Sequence, residues 1–410
     1  MVQLSDDCFA FGNSLISPEA AIKQLYKLLS PLPCETVPLT QADGRILAQD
    51  IVAQIPSPPF DNSAVDGYAV HGQNHNKLRL IGRAAAGHPF EGQLNEGEAV
   101  RIFTGARLPK GTDRVYMQED CTFEENCIRI PPGLKQSANT RMMGEDVAQG
   151  MPIATKGELL NPPKLGLLAA QGIRDIQVSR RPRTILFSSG DELHASGEKL
   201  NEGGLYDSNQ SLLAAQLRRY GWHVDIGGIL PDEPKAIAKA LEKASRKSDL
   251  LLTSGGISVG EEDHIKATIE KIGAIVHWRL AIKPGRPIAL GKIGETLFVG
   301  LPGNPVAAFI GVMLLLRPLA CLMQGSSVPK LRSWPIIANF SYKKKRGRRE
   351  YVRVRLHEEK GLCKGIKYPK DGAGMLSGLA WADGLVVLGE EITAINPGEQ
   401  VDFIPFDTIL

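Results

Sequence analysis

The feature that most limits what this chain can fold into is an alternation of strand-length apolar runs and helix-length amphipathic segments between residues 183 and 324. Residues 184–188 form the first apolar run. Residues 209–220 place Leu213, Leu217 and Tyr220 on one helical face, with Gly221 positioned to end the helix. A strand over 224–229 follows. Asp232 stands where it can cap the next helix, with Pro234 in the first turn and Ile237, Leu241 and Ala244 aligned behind it. A buried strand over 249–253, a helix over 264–272, strands over 274–279, 287–290 and 296–299, and a helix from Pro305 complete the series. Such alternation predicts a central, mostly parallel sheet covered on both faces by helices, an α/β/α domain.

The flanks read differently. Ser17 and Pro18 open a helix with Ile22, Leu25 and Leu29 on one side. Residues 50–133 break into short alternating runs between Gly, Pro and Asn turns, which predicts a compact β region. After Val328 the helices stop, and alternation at 351–356, a strand at 385–388 and a turn at 396–399 predict a small C-terminal β domain. A chain of 410 residues has room for two to four domains. The expected fold class is α/β plus β, in a multidomain chain.

Composition excludes several functions. A net charge of +3 gives no general attraction to nucleic acid. The six cysteines form no C-x-x-C pair and no Cys/His ligand spacing, so neither disulfides nor structural zinc are expected. A reducing compartment fits. The N-terminus carries acids where a signal peptide needs cations. The longest apolar stretch, 306–316, is too short for a bilayer and ends at Arg317-Pro318. These features predict a soluble cytoplasmic protein, with no nucleic-acid or membrane partner. The basic tract at 343–349 reads as a solvated loop or a phosphate contact.

Three loops leave strands of the α/β region with similar chemistry. The first holds Ser188, Gly190, Asp191 and Glu192. The second holds Ser254, Gly255, Gly256, Ser258 and Gly260, and runs on to Asp263. The third holds Pro302, Gly303, Asn304 and Pro305. In open α/β sheets ligands bind beyond the carboxyl ends of the strands. Glycines let backbone amides approach a ligand, and the following helix N-terminus favours an anion. Each loop alone reads as well as a tight turn; the three together, two with carboxylates, read as a site. Neither a P-loop nor a G-x-G-x-x-G motif is present.

Carboxylates beside an anion nest repel phosphate unless a divalent cation stands between them. Glu192, Asp232 and Asp263 each follow a strand and offer the oxygen donors that Mg2+ takes. Asp232 and Asp263 serve equally as helix caps; Glu192 starts no helix. Lys283 and Arg286, in a Pro- and Gly-rich turn, suit phosphate or another oxyanion together with Arg279, or are plain surface charge. Residues 60–68, with Asp61 and Asp66, and residues 103–106, with Thr104, read as Asx-rich turns or as reactive segments.

Nine motifs then stand in one order. They are Phe-Asp-Asn-Ser-Ala-Val-Asp-Gly-Tyr-Ala at 60–69, Thr-Gly-Ala at 104–106, Met-Gln-Glu at 117–119, Gly-Glu-Asp at 144–146 and Ser-Gly-Asp-Glu-Leu at 189–193. Tyr-Asp-Ser-Asn at 206–209, Ser-Gly-Gly-Ile-Ser-Val-Gly at 254–260, Ala-Ile-Lys-Pro-Gly at 281–285 and Gly-Leu-Pro-Gly-Asn-Pro at 300–305 follow. In these motifs, over nearly its whole length, the chain resembles the molybdopterin molybdenumtransferase (MoeA) family, whose animal counterpart is the E domain of gephyrin.

The resemblance implies four domains: a discontinuous N-terminal domain over 1–52 and 140–180, an inserted β domain over 53–139, a catalytic α/β domain over 181–327 and a C-terminal β barrel over 328–410. It implies a homodimer with a shared cleft, bringing Asp61, Asp66 and Thr104 opposite Glu192 and Asp263. It also implies the reaction: molybdate enters adenylylated molybdopterin and AMP leaves in a magnesium-dependent step, a separate molybdopterin adenylyltransferase having made the substrate. Asp146 joins Glu192, Asp232 and Asp263 among the family's acidic positions. The loop at 254–260 would hold the pterin or its phosphate, while Arg279 and Lys283 would neutralise oxyanion charge. The sequence departs from the family at Arg279 and Arg286, where Lys is frequent. It departs again at Met142-Met143, where further arginines are common and only Arg141 remains, and at His264, where an aromatic is usual. Rival readings are a pterin-binding scaffold or carrier without catalysis, and a tungstate-specific paralogue.

Overall fold

The structure, a computed structural model, describes residues 15–27, 29–72, 74–256, 264–328 and 330–409. They fall into two compact units, one made of Thr36–Asp43 and Gln49–Gln177, the other of the remaining segments.

The larger unit is built on a seven-stranded sheet. Its order is Leu15–Ile16, Ala274–Leu280, Pro287–Ile293, Thr296–Leu301, Leu250–Ser254, Arg183–Ser189 and His223–Leu230. Neighbours run parallel, except that Pro287–Ile293 is antiparallel to both of its own. Connection length explains the exception. Two residues, one of them Gly294 at φ +58°, join Pro287–Ile293 to Thr296–Leu301, and only a hairpin can be closed so tightly.

Side chains alternate along the strands, and each face meets its own helices. Leu250, Leu252 and Val299 pack with Leu25, Leu213, Leu217 and Phe309, from the helices Pro18–Tyr26, Ser208–Arg219 and Pro305–Gly311. Leu251 and Phe298 turn the other way, onto Ile237, Leu241, Ile265 and Ile269 of Pro234–Ser245 and His264–Ile272. The two-sided covering follows directly from the apolar runs. Ser17 caps the first helix, its Oγ accepting the Ala20 amide at 3.1 Å, and Gly221, at φ +81°, ends Ser208–Arg219 as expected.

Three expectations need correction. Asp232 is not a cap: Glu233 holds that position, with no side-chain hydrogen bond to the helix. The helix from Pro305 passes through Arg317-Pro318 and runs to Met323. It does so by way of a wide π turn, Val312–Leu316, in which the Arg317 amide reaches the Val312 carbonyl. The helix is long and apolar enough to cross a membrane, but 83% of its apolar window is buried inside the fold, which makes it a core helix. Helices also do not stop after Val328, because Leu376–Trp381 is helical.

The C-terminal region closes on itself as a five-stranded barrel. Arg349–Glu359 pairs with Leu362–Lys367, then in turn come Trp334–Ala338, Gln400–Pro405 and Gly384–Leu388, which pairs back to Arg349–Glu359. Val352, Val354, Val386 and Phe403 fill it. Part of the basic tract is structural. Lys344 Nζ donates to the carbonyls of Gly389 and Ile392, both at 2.8 Å, and Arg349 pairs with Glu19 at 2.6 Å and Glu390 at 3.0 Å.

The smaller unit carries the predicted β region. Its six-stranded sheet runs Arg114–Met117, Gly67–Val70, Glu98–Ile102, Lys77–Ala84, Cys127–Arg129 and Thr122–Glu124. Ala69, Val100 and Val115 face one core, and Val70, Ala99 and Tyr116 the other. A helix, Pro162–Ala170, capped by Asn161, was not anticipated.

Candidate functional site

The carboxyl ends of three neighbouring parallel strands, Arg183–Ser189, Leu250–Ser254 and Thr296–Leu301, open into one cleft of about 790 Å³. Gly190 and Glu192 line it from the first loop, Ser254, Gly255 and Gly256 from the second, and Pro302, Gly303, Asn304 and Pro305 from the third. The volume suits a small-molecule ligand. Ser258, Gly260 and Asp263 lie outside the described residues.

The glycines are required by how closely the loops pack. Gly255 sits at φ +91°, and a Cβ there would stand 2.5 Å from the Ser189 carbonyl oxygen. Gly256, at φ +63°, would meet Ile265 Cδ1 at 2.6 Å. Gly190, at φ +143°, is overlain by the Glu192 carboxylate, with which a Cβ would collide. Asn209 ties the assembly together: its Nδ2 donates to Ser254 Oγ and to the Gly303 carbonyl, both at 2.7 Å. Asn209 and Ser208 begin one helix and Pro305 another, so two helix N-termini face the cleft with the favourable end of their dipoles. The Gly255 amide is already bonded to the Leu301 carbonyl at 3.0 Å. Those of Gly256, Gly303 and Asn304 have no acceptor among the described residues and are the donors left for an anion.

Glu192 and Asp232 bring carboxylates to this cleft. The Glu192 carboxylate is exposed and makes no hydrogen bond among the described residues. Asp191 points its Oδ1 at the Asp232 amide, 3.3 Å away. Among the described residues no three His, Cys, Asp or Glu side chains stand close enough to hold a metal ion. Glu192 and Asp232 are hard oxygen donors of the kind a divalent cation takes together with phosphate oxygens and water. Ser188 is fully buried and does not line the cleft; its neighbour Ser189 does.

The basic residues go elsewhere. Lys283 lines a separate hollow of about 170 Å³ with Val306, Tyr342, Arg353, Lys367 and Asp371. Its Nζ lies 3.1 Å from the Glu350 carboxylate, which is 2% exposed, and Tyr342 donates to the same carboxylate at 2.8 Å. Burial, and then that hydrogen bond, push the Tyr342 hydroxyl well above the ordinary tyrosine value. Lys367 pairs with Asp371 at 2.9 Å. The two hollows lie back to back: Val306 and Ala373 line the small one, Pro305 and Gly374 the cleft, and the Val306 amide bonds the Ala373 carbonyl at 3.0 Å. Arg279 and Arg286 line neither.

Asp61, Asp66, Thr104 and Asp146 all belong to the smaller unit. Asp66 Oδ1 accepts both the amide and the hydroxyl of Thr104 at 2.8 Å, and these bonds hold its carboxyl below the usual aspartate value. Asp61 Oδ1 accepts the Met143 amide at 2.7 Å and lines an open hollow with Phe60, Phe90, Arg107 and Lys110. Asp146 is exposed.

Comparison with known families agrees with this geometry. Residues 16–172 match "MoeA N-terminal region (domain I and II)", residues 186–320 match "Probable molybdopterin binding domain", and residues 335–406 match "MoeA C-terminal region (domain IV)". The molybdopterin molybdenumtransferase of Haemophilus influenzae is 37% identical over 398 residues, 96% of this chain and 98% of that one. The chain belongs to the MoeA family. A Nostoc molybdopterin molybdenumtransferase is 33% identical over 92% of this chain and 89% of its own. The crystal structure of the Pyrococcus horikoshii MoeA protein superposes with a TM-score of 0.82 at 28% identity, covering 96% of this chain and 100% of that one.

Sequence reasoning picked out all three loops, and the structure brings them together. It missed Asp207 and Asn209, which line the cleft from the start of a helix. The Tyr-Asp-Ser-Asn motif was visible, but nothing in its spacing said that the chain would turn back there against the glycine loops.

Proposed function

We propose that this chain, a transferase of molybdenum cofactor biosynthesis, inserts molybdate into adenylylated molybdopterin with release of AMP. The observation that carries the reading is the convergence of three glycine loops, two helix N-termini and the carboxylates of Glu192 and Asp232 in one cleft. The free amides of Gly256, Gly303 and Asn304 are suited to the phosphoanhydride oxygens, and Pro302 and Pro305 hold the third loop rigid. Glu192 and Asp232, with Asp263, would hold Mg2+, which would supply charge neutralisation at the phosphoanhydride and on departing AMP.

The hollow around Lys283 suits the second substrate. Three cations, Lys283, Arg353 and Lys367, stand against the acids Glu350 and Asp371, leaving net positive charge for a compact oxyanion such as molybdate. Its position behind the Val306–Ala373 pair sets it beside the cleft. The protein would act as a cytoplasmic homodimer, in which Asp61, Asp66, Thr104 and Asp146 of the smaller unit complete the site across subunits. The four-domain division of the family, a separate adenylyltransferase as supplier, and roles for Arg279 and Arg286 at oxyanion charge belong to the same proposal.

Purified protein given adenylylated molybdopterin should release AMP only when molybdate and a divalent cation are present. Glu192→Gln should lower that rate about 10²-fold or more while substrate still binds. A carrier or scaffold would support cofactor assembly equally with the variant. Parallel reactions with tungstate decide between the two oxyanions.

A further inference from the structure

The segment at 206–209 carries two polar side chains that the proposed chemistry leaves unused. Asp207 and Asn209 both line the cleft, and both are more than nine-tenths buried, at 6% and 7% exposure. Each is half satisfied. Asp207 Oδ1 accepts the Gln210 amide at 3.0 Å and caps the helix, while Oδ2 has no partner. The two donations from Asn209 Nδ2 fix the orientation of its amide and leave Oδ1 an acceptor without a donor. Buried polar atoms are nearly always paired, and a pair of unpaired acceptors at a binding cleft calls for donors on the ligand.

Apart from the Glu192 and Asp232 carboxylates, which the proposed cation would take, the rest of the cleft has the opposite polarity. Its free amides and helix N-termini are donors, matched to phosphate and unable to read a ring edge that itself donates. We infer that Asp207 Oδ2 and Asn209 Oδ1 read the N–H edge of the substrate's heteroaromatic ring, the 2-amino-4-oxo edge of a pterin, where the exocyclic amine and the adjacent ring N–H both donate. The inference rests on the proposed function, which supplies the pterin, and adds which residues select it and by which edge. It makes these two residues specificity determinants. A ring with a carbonyl in place of the amine would turn an acceptor toward acceptors and be rejected.

Asp207→Asn isolates the effect. Asparagine caps a helix as well as aspartate, so its Oδ1 keeps the Gln210 amide and its Nδ2 presents a donor to donors. The intact protein is titrated with 6-carboxypterin, with 6-carboxylumazine, in which an oxo group replaces the 2-amino group, and with AMP. Ring fluorescence and calorimetry read the binding. The unaltered protein should prefer the pterin at least about tenfold. Asp207→Asn should lose about tenfold in pterin affinity, and with it the preference, with AMP affinity and melting temperature kept. Asp207→Ser, which also caps but deletes the second acceptor, should lose the preference too. Equal binding of the two rings by the unaltered protein, or a preference surviving both substitutions, overturns the inference while leaving the cleft an AMP site. A protein that binds neither ring nor AMP removes the proposed function and the inference together. If Asp207→Asn fails to fold, the ring preference of the unaltered protein still decides.

Discussion

A methyl group at Gly255 would press on the Ser189 carbonyl oxygen from a backbone already at φ +91°. Gly255→Ala should therefore cost about 1–3 kcal/mol in urea denaturation and lower turnover beyond what that loss explains, because two cleft loops must part. Unchanged stability would mean that the loops are not packed as described. The Asp66–Thr104 pair gives a test of a different kind. Its hydrogen bonds depress the folded-state pKa of an exposed carboxylate, so their contribution is present above the unfolded-state value and fades as pH falls through the folded one. Thr104→Val removes the hydroxyl and keeps the amide, so the Asp66 titration should move part of the way up toward the ordinary aspartate value. Carbon-detected NMR of the side-chain carboxyl reads the shift directly, and an unmoved midpoint contradicts the geometry.

Among the elements, the helix entered at Pro305 links site to core. Its first residue lines the cleft, and Leu315, ten residues on, is fully buried. Leu315→Ala should cost about 2–5 kcal/mol by chemical denaturation. Beside the barrel, Lys283→Met leaves the buried Glu350 carboxylate with Tyr342 but without its paired cation. That should cost about 1–3 kcal/mol, reduced from the usual figure for a broken buried pair because Lys283 is itself half exposed, and should raise the molybdate concentration needed for turnover. Much at this scale was legible beforehand, because strand runs, helical faces, the Ser17 cap and the Gly221 stop are local. The helix over 264–272 was bounded to the residue. What escaped depended on tertiary context. Pro318 ends helices by jamming its ring against the carbonyl four residues back, and the wide π turn just before it relieves that clash. Lys283 read as an oxyanion contact or as plain surface charge, but only the folded barrel supplies Glu350 and draws Lys283 to a hollow apart from Glu192. Asp232 read as a cap because local preference favours it, and the helix begins one residue too late.

For the whole molecule, the proposed homodimer makes a prediction independent of catalysis. Val52, Ile55 and Met151 are 43%, 43% and 48% exposed around the paired strands Ile51–Val52 and Pro152–Ala154 of the smaller unit. Apolar groups so exposed are what a second copy would cover. Light scattering after size exclusion should give the mass of two chains, and Met151→Arg should shift the protein toward one; a monomer at every concentration would remove the shared cleft. The central claim, that chemistry occurs where the glycine loops meet Glu192, is tested most directly by a crystal soaked with AMP. The phosphate should lie within hydrogen-bonding distance of the Gly256, Gly303 or Asn304 amides, with Glu192 and Asp232 beside it. AMP bound in another hollow, with this cleft filled only by water, would contradict the account.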